Sequence, residues 1–301
     1  MNKMIMAAGL ALMSLTTQAK VTMPSVYADG MVMQRGQVFT LRGNADAGEQ
    51  FEVVFLKKHY AVTAAADGSW SLALPAQKAG GPYTMQVADR TLTNIYVGDV
   101  WLCSGQSNVD VMISRVGELY RAEVDNDKVP QVHLLKVENV TDVYGVQPDV
   151  RTTGWHELEP EYAKGFSAIS YFLAKQMYER TKVPQGVIAC SWGGTPIQAW
   201  MHADSCAWQA DRMQQLMIAR DKDYVQSLRR TEMAANRLWS GMMYAGDPGR
   251  KAAWQQDDTD ESGWSRVNVR TDRWGKPGAG SWWLRCHVQV DKSHAGKPCL
   301  L

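Results

Sequence analysis

A serine in a turn between a strand and a helix is the residue of this 301-residue sequence best placed to do chemistry. Residues 97–103 are mostly apolar and predict a short buried strand, which breaks at Ser104-Gly105 before a helix begins. Such a turn raises the hydroxyl of Ser107 above the sheet edge and leaves free backbone N–H groups at the helix N-terminus to hold an oxyanion. Ser107 is therefore a candidate nucleophile, and Asn108 is a polar neighbour that can brace the site. A capped turn without chemistry explains the same residues, since Ser and Asn favour turns and helix N-caps.

Two longer stretches resemble one known family. Residues 98–108, which end in Ser104-Gly105-Gln106-Ser107-Asn108, closely resemble the first motif of the sialate O-acetylesterases, a branch of the SGNH hydrolases. Residues 186–201, which include Trp192-Gly193-Gly194-Thr195, resemble a later segment of that family in the expected order. Relatives usually continue the first motif with Met-Glu-Met, where this chain has Val109-Asp110-Val111. We expect these conservative changes to disturb the site only mildly.

The resemblance implies a fold and a reaction. It implies an SGNH hydrolase domain of the α/β class, with a flavodoxin-like parallel sheet. In that domain Ser107 attacks an acetyl ester, and the N–H of Gly193 or Gly194 helps to hold the oxyanion. Both motifs end strands, and parallel α/β sheets place their sites at the carboxyl edge, so Ser107 is expected to lie close to Gly193-Gly194. The two glycines are equally compatible with tight packing between a strand and a helix and no chemical role.

The acid–base partners of such a serine are not evident in the sequence. The family takes them from an Asp-x-x-His motif late in the hydrolase domain, and holds the oxyanion with a further Gln-Gly-Glu-Ser-Asn segment that we do not find here. Asp291 and His294 have the Asp-x-x-His spacing, but they follow an alternating stretch, 288–290, and precede a turn. We interpret them as a solvated connection in the family's inserted β-domain. The sequence thus resembles the front portion of a longer enzyme, with an incomplete hydrolase sheet and weak or no activity.

Composition excludes some classes of partner. Lys and Arg number 32 against 31 Asp and Glu, which argues against a nucleic-acid partner and against a polybasic membrane patch. The five cysteines show no metal-ligand spacing, so no metal or other cofactor is implied. Cys103 and Cys190 lie on the two motif strands, where a free cysteine usually serves as a small buried hydrophobe.

The partner that the family resemblance implies is an O-acetylated sialic acid or another acetylated glycan. The 12 tryptophans also suit an alternative, a non-catalytic carbohydrate-binding or vestigial protein.

The first residues have the pattern of a signal peptide. Lys3 supplies a basic region, residues 4–15 supply an apolar region, and Thr17-Gln18-Ala19 is a small-residue cleavage site. We expect cleavage after Ala19 and a mature protein in the periplasm or outside the cell; an N-terminal core helix is the alternative. The apolar region is too short to span a bilayer, and no other stretch is long and apolar enough to do so.

The remaining chain divides by pattern into three domains. Residues 20–96 predict a small β-sandwich, with strands at 51–55, 60–63 and 70–74 separated by turns. Residues 97–248 alternate strands and helices, as a parallel α/β sheet requires, with a further strand at 132–137 and one at 186–191. Residues 249–301 predict the start of the inserted β-rich domain, because residues 281–285 resemble its opening strands.

Three helices are predicted in the middle domain. The first spans about 166–181 and should bury a face made of four side chains: Ile169, Phe172, Leu173 and Met177. The second starts at Thr195-Pro196, where Thr195 and Gln198 form a capping-box pattern. The third spans roughly 205–236, with an apolar stripe expected to pack in the core: Met213, Leu216, Met217, Tyr224 and Leu228.

Overall fold

The computed structural model describes residues 21–268 and 282–296, so the predicted signal peptide and its cleavage after Ala19 lie outside the described residues. The chain is divided into two units, Met1–Trp208 and Gln209–Leu301, each with its own contacts. The described residues of the first unit form ten strands: β1 Val32–Gln34, β2 Phe39–Asn44, β3 Gln50–Phe55, β4 Lys58–Thr63, β5 Ser69–Leu74, β6 Gly80–Val87, β7 Arg90–Gly105, β8 Val129–Val137, β9 Thr152–Leu158 and β10 Gln185–Ser191.

The long strand β7 joins the two parts of the main sheet, whose order is β4-β3-β6-β7-β10-β8-β9, with β1 also paired to β7. The first half of β7 pairs antiparallel with β6, and its second half pairs parallel with β10, which in turn pairs parallel with β8. The expected strand at 97–103 is therefore the second half of a longer one. The predicted domain boundary between residues 96 and 97 falls inside this strand.

The N-terminal part has two layers. Strands β2 and β5 form a separate antiparallel sheet. Leu41 and Leu74 on that sheet are fully buried together with Val53 and Phe55 of the main sheet. Alternation of buried and exposed residues along these strands, most regular in β5, made them readable from sequence. The mixed α/β class with a small preceding β-layer is confirmed.

Eight α-helices lie in the part of the chain that the structure describes: α1 Ser107–Asp110, α2 Ile113–Val116, α3 Arg121–Val124, α4 Pro160–Ala163, α5 Ala168–Thr181, α6 Ala210–Ala219, α7 Lys222–Gly246 and α8 Pro248–Lys251. Helix α5 covers one face of β8 and β10. Together they form a second hydrophobic core, separate from that of the N-terminal part, with Leu134, Tyr171 and Val187 fully buried in it. The N-cap of α5 is Ser167, whose hydroxyl accepts the N–H of Ser170.

The predicted buried face of α5 was wrong in part: Phe172 packs against the core and Leu173 and Met177 are half-buried, but the centre of the buried face lies elsewhere. Ile169 is 58% exposed, whereas Tyr171, Ala174 and Lys175 are buried. The reason lies in a tertiary pairing that spacing does not reveal. The ammonium group of Lys175 contacts Asp127 at 2.6 Å and Glu123 at 2.9 Å, and the hydroxyl of Tyr171 donates to Asp127. A paired lysine can be buried, so Lys175 lies on the inward face of the helix beside Tyr171 and Ala174.

The predicted helix at Thr195 was also wrong. Only a short 3-10 helix forms, at Ile197–Trp200, and the preceding Pro196 is extended. The hydroxyl of Thr195 is used in the turn instead of as a cap, because it donates to the carbonyl oxygen of Trp192 at 2.8 Å and accepts the indole N–H of Trp200 at 2.9 Å.

The second unit contains α6, α7 and α8, and the single helix expected over 205–236 is two helices there. The chain breaks after Ala219 because the carboxylate of Asp221 caps a new helix by accepting the N–H of Tyr224 at 3.0 Å. The expected core stripe was wrong in part. Met217, Tyr224 and Leu228 are exposed.

Described residues at the C-terminal end of this unit form no strand. Residues 288–290, expected to alternate as a strand, are irregular, and Val288 and Val290 are both exposed. Trp254 packs edge-on against Trp264 and Trp283, and these indoles border a cavity of about 800 Å³. The stretch 281–285 was predicted to belong to the opening strands of the inserted domain. Its first residue, 281, lies outside the described residues, and residues 282–285 are not in a strand.

Candidate active site

The turn after β7 has a conformation that requires glycine. Gly105 ends the strand with φ of 154°, and a β-carbon there would lie 2.9 Å from Cγ2 of Val109. Helix α1 then begins at Ser107, and the N–H groups of Val109 and Asp110 donate to the carbonyl oxygen of Gln106. The side chain of Ser107 is exposed at the start of this helix.

The end of β10 lies directly beside this turn. Ser191 pairs in parallel register with Gly105. The backbone N–H of Trp192 donates to the carbonyl oxygen of Gly105 at 3.0 Å. The side-chain amide of Gln106 donates to the carbonyl oxygen of Thr195 at 3.2 Å. Backbone and side-chain bonds therefore hold the two strand ends together on both sides of Gly193-Gly194.

Gly193 is brought next to Ser107, as the sequence predicted. A β-carbon on Gly193 would lie 3.7 Å from Cα and 3.8 Å from Cβ of Ser107. Gly194 has φ of +79°, with open space where a side chain would be. Asn108 is exposed on α1 beside Ser107. The catalytic role of Ser107 and the oxyanion roles of Gly193, Gly194 and Asn108 stay predictions.

Sequence reasoning missed the residue that links the two motifs. The carboxylate of Asp110 accepts the hydroxyl of Ser191 at 3.0 Å through Oδ1 and the N–H of Gly193 at 3.4 Å through Oδ2. The signal was its spacing: residue 110 is three positions after Ser107, so both side chains lie on neighbouring positions of one helical turn.

Histidine does not supply a base to Ser107 in the described part of the chain, where the Ser107 hydroxyl has no hydrogen bond. His133 is buried in β8, with its ring nitrogens against the carbonyl oxygens of Gly30 and Pro130. His156 stacks on Tyr162.

The Asp-x-x-His stretch forms a capped turn. Asp291 precedes a 3-10 helix, Lys292–His294, and its carboxylate accepts the N–H of Ser293 at 2.8 Å. This hydrogen bond lowers the pKa of Asp291. The placement agrees with the solvated connection that we inferred; the His294 side chain lies outside the described residues.

The two cysteines of the motif strands are less buried than expected. Cys103 and Cys190 are free and half-buried, on opposite faces of the paired strands by alternation. Burial nevertheless raises the pKa of the Cys190 thiol.

Within the described ranges no group of His, Cys, Asp and Glu is arranged to hold a metal ion. In those same ranges, none of the helices combines the length and apolar character needed to cross a bilayer.

A serine at the carboxyl end of a parallel strand, beside a glycine turn at the end of the neighbouring strand, is an arrangement that α/β enzymes with a serine nucleophile also use. Comparison with known proteins gives the family. The model of the family described as carbohydrate esterase, sialic acid-specific acetylesterase matches residues 97–253, just over half of the chain. The chain belongs to this family.

Individual relatives agree with that assignment. The human sialate O-acetylesterase is 31% identical over 166 residues, which cover 50% of this chain and 31% of the human protein. The rat sialate O-acetylesterase is 28% identical over 146 residues, 44% of this chain and 27% of the rat protein. The crystal structure of a carbohydrate acetylesterase from Xanthomonas citri superposes with a TM-score of 0.57 at 34% identity, covering 62% of this chain and 44% of that chain. The matched part thus spans about a third of the length of these curated relatives.

Proposed function

We propose that this protein is a carbohydrate esterase that removes O-acetyl groups from sialic acid or another acetylated sugar, with Ser107 as the nucleophile. The observation that carries the proposal is the contact between Ser107 and Gly193, where a β-carbon on the glycine would lie 3.7 Å from Cα of the serine. The family supports the substrate class, since its model is described as sialic acid-specific.

The reaction starts at the exposed hydroxyl of Ser107. Its oxygen attacks the acetyl carbonyl carbon, and the carbonyl electrons move to an oxyanion held by the N–H groups at the start of α1 and in the glycine turn. Of the two glycines, Gly194 is the better donor because the N–H of Gly193 is already donated to Asp110. Collapse of the oxyanion breaks the bond between the acetyl carbon and the sugar oxygen, which takes up the proton lost by Ser107, and leaves an acetylated serine that water hydrolyses to acetate.

The proton of Ser107 must pass to a base, and among the described residues no imidazole is hydrogen-bonded to it. General-base assistance accounts for about 10²- to 10⁴-fold in such reactions. We therefore expect slow turnover by this chain, with the acetylated serine persisting because its hydrolysis needs the same base.

We also propose that the protein is exported, to the periplasm or beyond. The support is the sequence pattern of a basic residue, Lys3, an apolar region and the small-residue site that ends at Ala19. Expression in a secreting host followed by N-terminal sequencing of the secreted protein tests this, with Lys20 expected as the first residue.

The test of the nucleophile is a single acetyl transfer. The chain is incubated with an activated aryl acetate, digested, and its serines are compared by peptide mass spectrometry. We expect acetyl on Ser107 ahead of Ser104, which is exposed three residues away and serves as an internal control. Ser107→Ala should remove that acetylation. Acetylation spread evenly over exposed serines would contradict the proposal.

The substrate class is tested separately, by acetate release from an O-acetylated sialic acid and from an acetylated neutral sugar. We expect release above the Ser107→Ala background from at least one of them. Binding of either sugar that is equal in both proteins, with no acetate released, would favour the alternative of a non-catalytic carbohydrate-binding protein.

A further inference from the structure

The glycine turn beside Ser107 is held at three points. Before it, the N–H of Trp192 donates to Gly105; after it, the side chain of Gln106 donates to Thr195. Between them, Asp110 accepts the N–H of Gly193. Two successive glycines have the largest backbone freedom of any dipeptide, so a turn of this kind keeps one conformation only if its middle is anchored.

Asp110 is suited to be that anchor. It is carried by the same helical turn as Ser107, so whatever it holds is fixed relative to the nucleophile. A β-carbon on Gly193 would lie 3.6 Å from Oδ2 of Asp110, so the carboxylate packs against the glycine as well as bonding to it. Its other oxygen, Oδ1, accepts the hydroxyl of Ser191 at 3.0 Å. Hydrogen bonds to a carboxylate are stronger than those between neutral groups.

We propose that Asp110 is a positioning residue that holds the Trp192–Gly194 turn at a fixed distance from Ser107, so that the oxyanion donors are in place before substrate binds. Asp110 acts through Ser191 and Gly193 and does not touch the reacting atoms. The proposal deepens the esterase function proposed above and rests on it for its catalytic meaning, but the anchoring itself is measurable without any reaction.

The test compares Asp110→Ala, Asp110→Asn and Asp110→Glu in the full chain, with Asp89→Asn as the matched control, an exposed carboxylate in the turn before β7, at the opposite end of that strand from Gly105. Amide hydrogen exchange is followed by mass spectrometry in peptides that cover residues 192–196. Losing a hydrogen bond to a charged acceptor should speed exchange there by about tenfold to a hundredfold in Asp110→Ala. Asp110→Asn should have a smaller effect, because its amide oxygen still accepts, and it serves if the alanine variant does not fold.

A second readout separates positioning from general stability. The rate of Ser107 acetylation should fall about tenfold in Asp110→Ala, while thermal melting stays close to that of Asp89→Asn; Asp110→Glu, which keeps the charge, should restore part of the rate. Unchanged exchange at 192–196 in Asp110→Ala, or faster exchange throughout the first unit, would overturn the proposal. If exchange changes locally but Ser107 is never acetylated in the parent chain, the esterase function fails and the anchoring role stands.

Discussion

Strand β7 passes so close to the segment before β10 that residue 98 has room only for glycine. A β-carbon on Gly98 would lie 2.0 Å from the carbonyl oxygen and 2.6 Å from the carbonyl carbon of Pro184. That carbonyl cannot simply move aside, because it also accepts the N–H of Asp99 at 2.9 Å. Gly98→Ala must therefore either push the two strands apart or break this bond.

The expected cost combines two effects. Overpacking of this kind costs about 1–3 kcal/mol, and loss of the Asp99 bond adds about 1 kcal/mol. We expect Gly98→Ala to lower the free energy of unfolding by about 2–4 kcal/mol, which lowers the melting temperature by about 5–15 °C for a unit of this size. Since β7 leads to Ser107, acetylation of Ser107 should slow as well.

The assay is urea unfolding followed by circular dichroism, with Gly117→Ala as the control. Gly117 has helical dihedrals, φ of −58° and ψ of −28°, and no atom lies within 4 Å of a β-carbon built there. This control should change stability by no more than about 0.5 kcal/mol. Equal unfolding midpoints for the two variants would refute the steric argument and show that the strands can separate at little cost.

Three further outcomes are expected. Lys175→Met should destabilise the chain by about 1–3 kcal/mol in urea unfolding, because it leaves the half-buried carboxylate of Asp127 without its cation while the hydroxyl of Tyr171 still donates to it; an unchanged unfolding midpoint would contradict this. Ser167→Ala should cost about 1–2 kcal/mol, since its hydroxyl caps α5 and donates to the carbonyl oxygen of Val109 at 2.6 Å, and an unchanged midpoint would argue against the cap. Iodoacetamide should alkylate exposed Cys286 before Cys190, because burial raises the pKa of the Cys190 thiol and less thiolate is present there. Peptide mapping that finds Cys190 alkylated first would disprove this expectation.

The strand ends of the candidate site could be predicted because backbone pairing fixes them. An apolar run followed by Ser-Gly predicted the end of β7, and a similar run followed by Gly-Gly predicted the end of β10. Parallel strands end at the same sheet edge, so the strand assignments predicted that Ser107 and Gly193 share an edge, while the structure shows that β7 and β10 are neighbours in the sheet. In the structure Ser191 pairs with Gly105, so the two strands end side by side.

Side-chain partners from distant elements could not be predicted in the same way. The burial of Lys175 on α5 could not be predicted, because nothing in the helical periodicity indicates Asp127 as its partner, 48 residues away in sequence. Likewise, the sequence presents Asp110 only as a mild departure from a family motif. Its role depends on Ser191, which lies 81 residues later and meets it only because β10 pairs with β7. Polar groups that only the fold brings together leave no recognisable pattern in the local sequence.

Placement of Ser107 and speed of the proposed reaction are thus set by different groups. The distance between Ser107 and Gly193 follows from strand pairing and from the Asp110 carboxylate, all within the first unit. The rate depends in addition on a base, which no described imidazole supplies through a hydrogen bond to Ser107. Because a general base contributes about 10²- to 10⁴-fold while the oxyanion donors contribute separately, a well-formed serine site can be present with slow turnover. A single acetyl transfer reports on the first property and acetate turnover on the second, so Ser107 acetylation is the measurement that judges the geometry on its own.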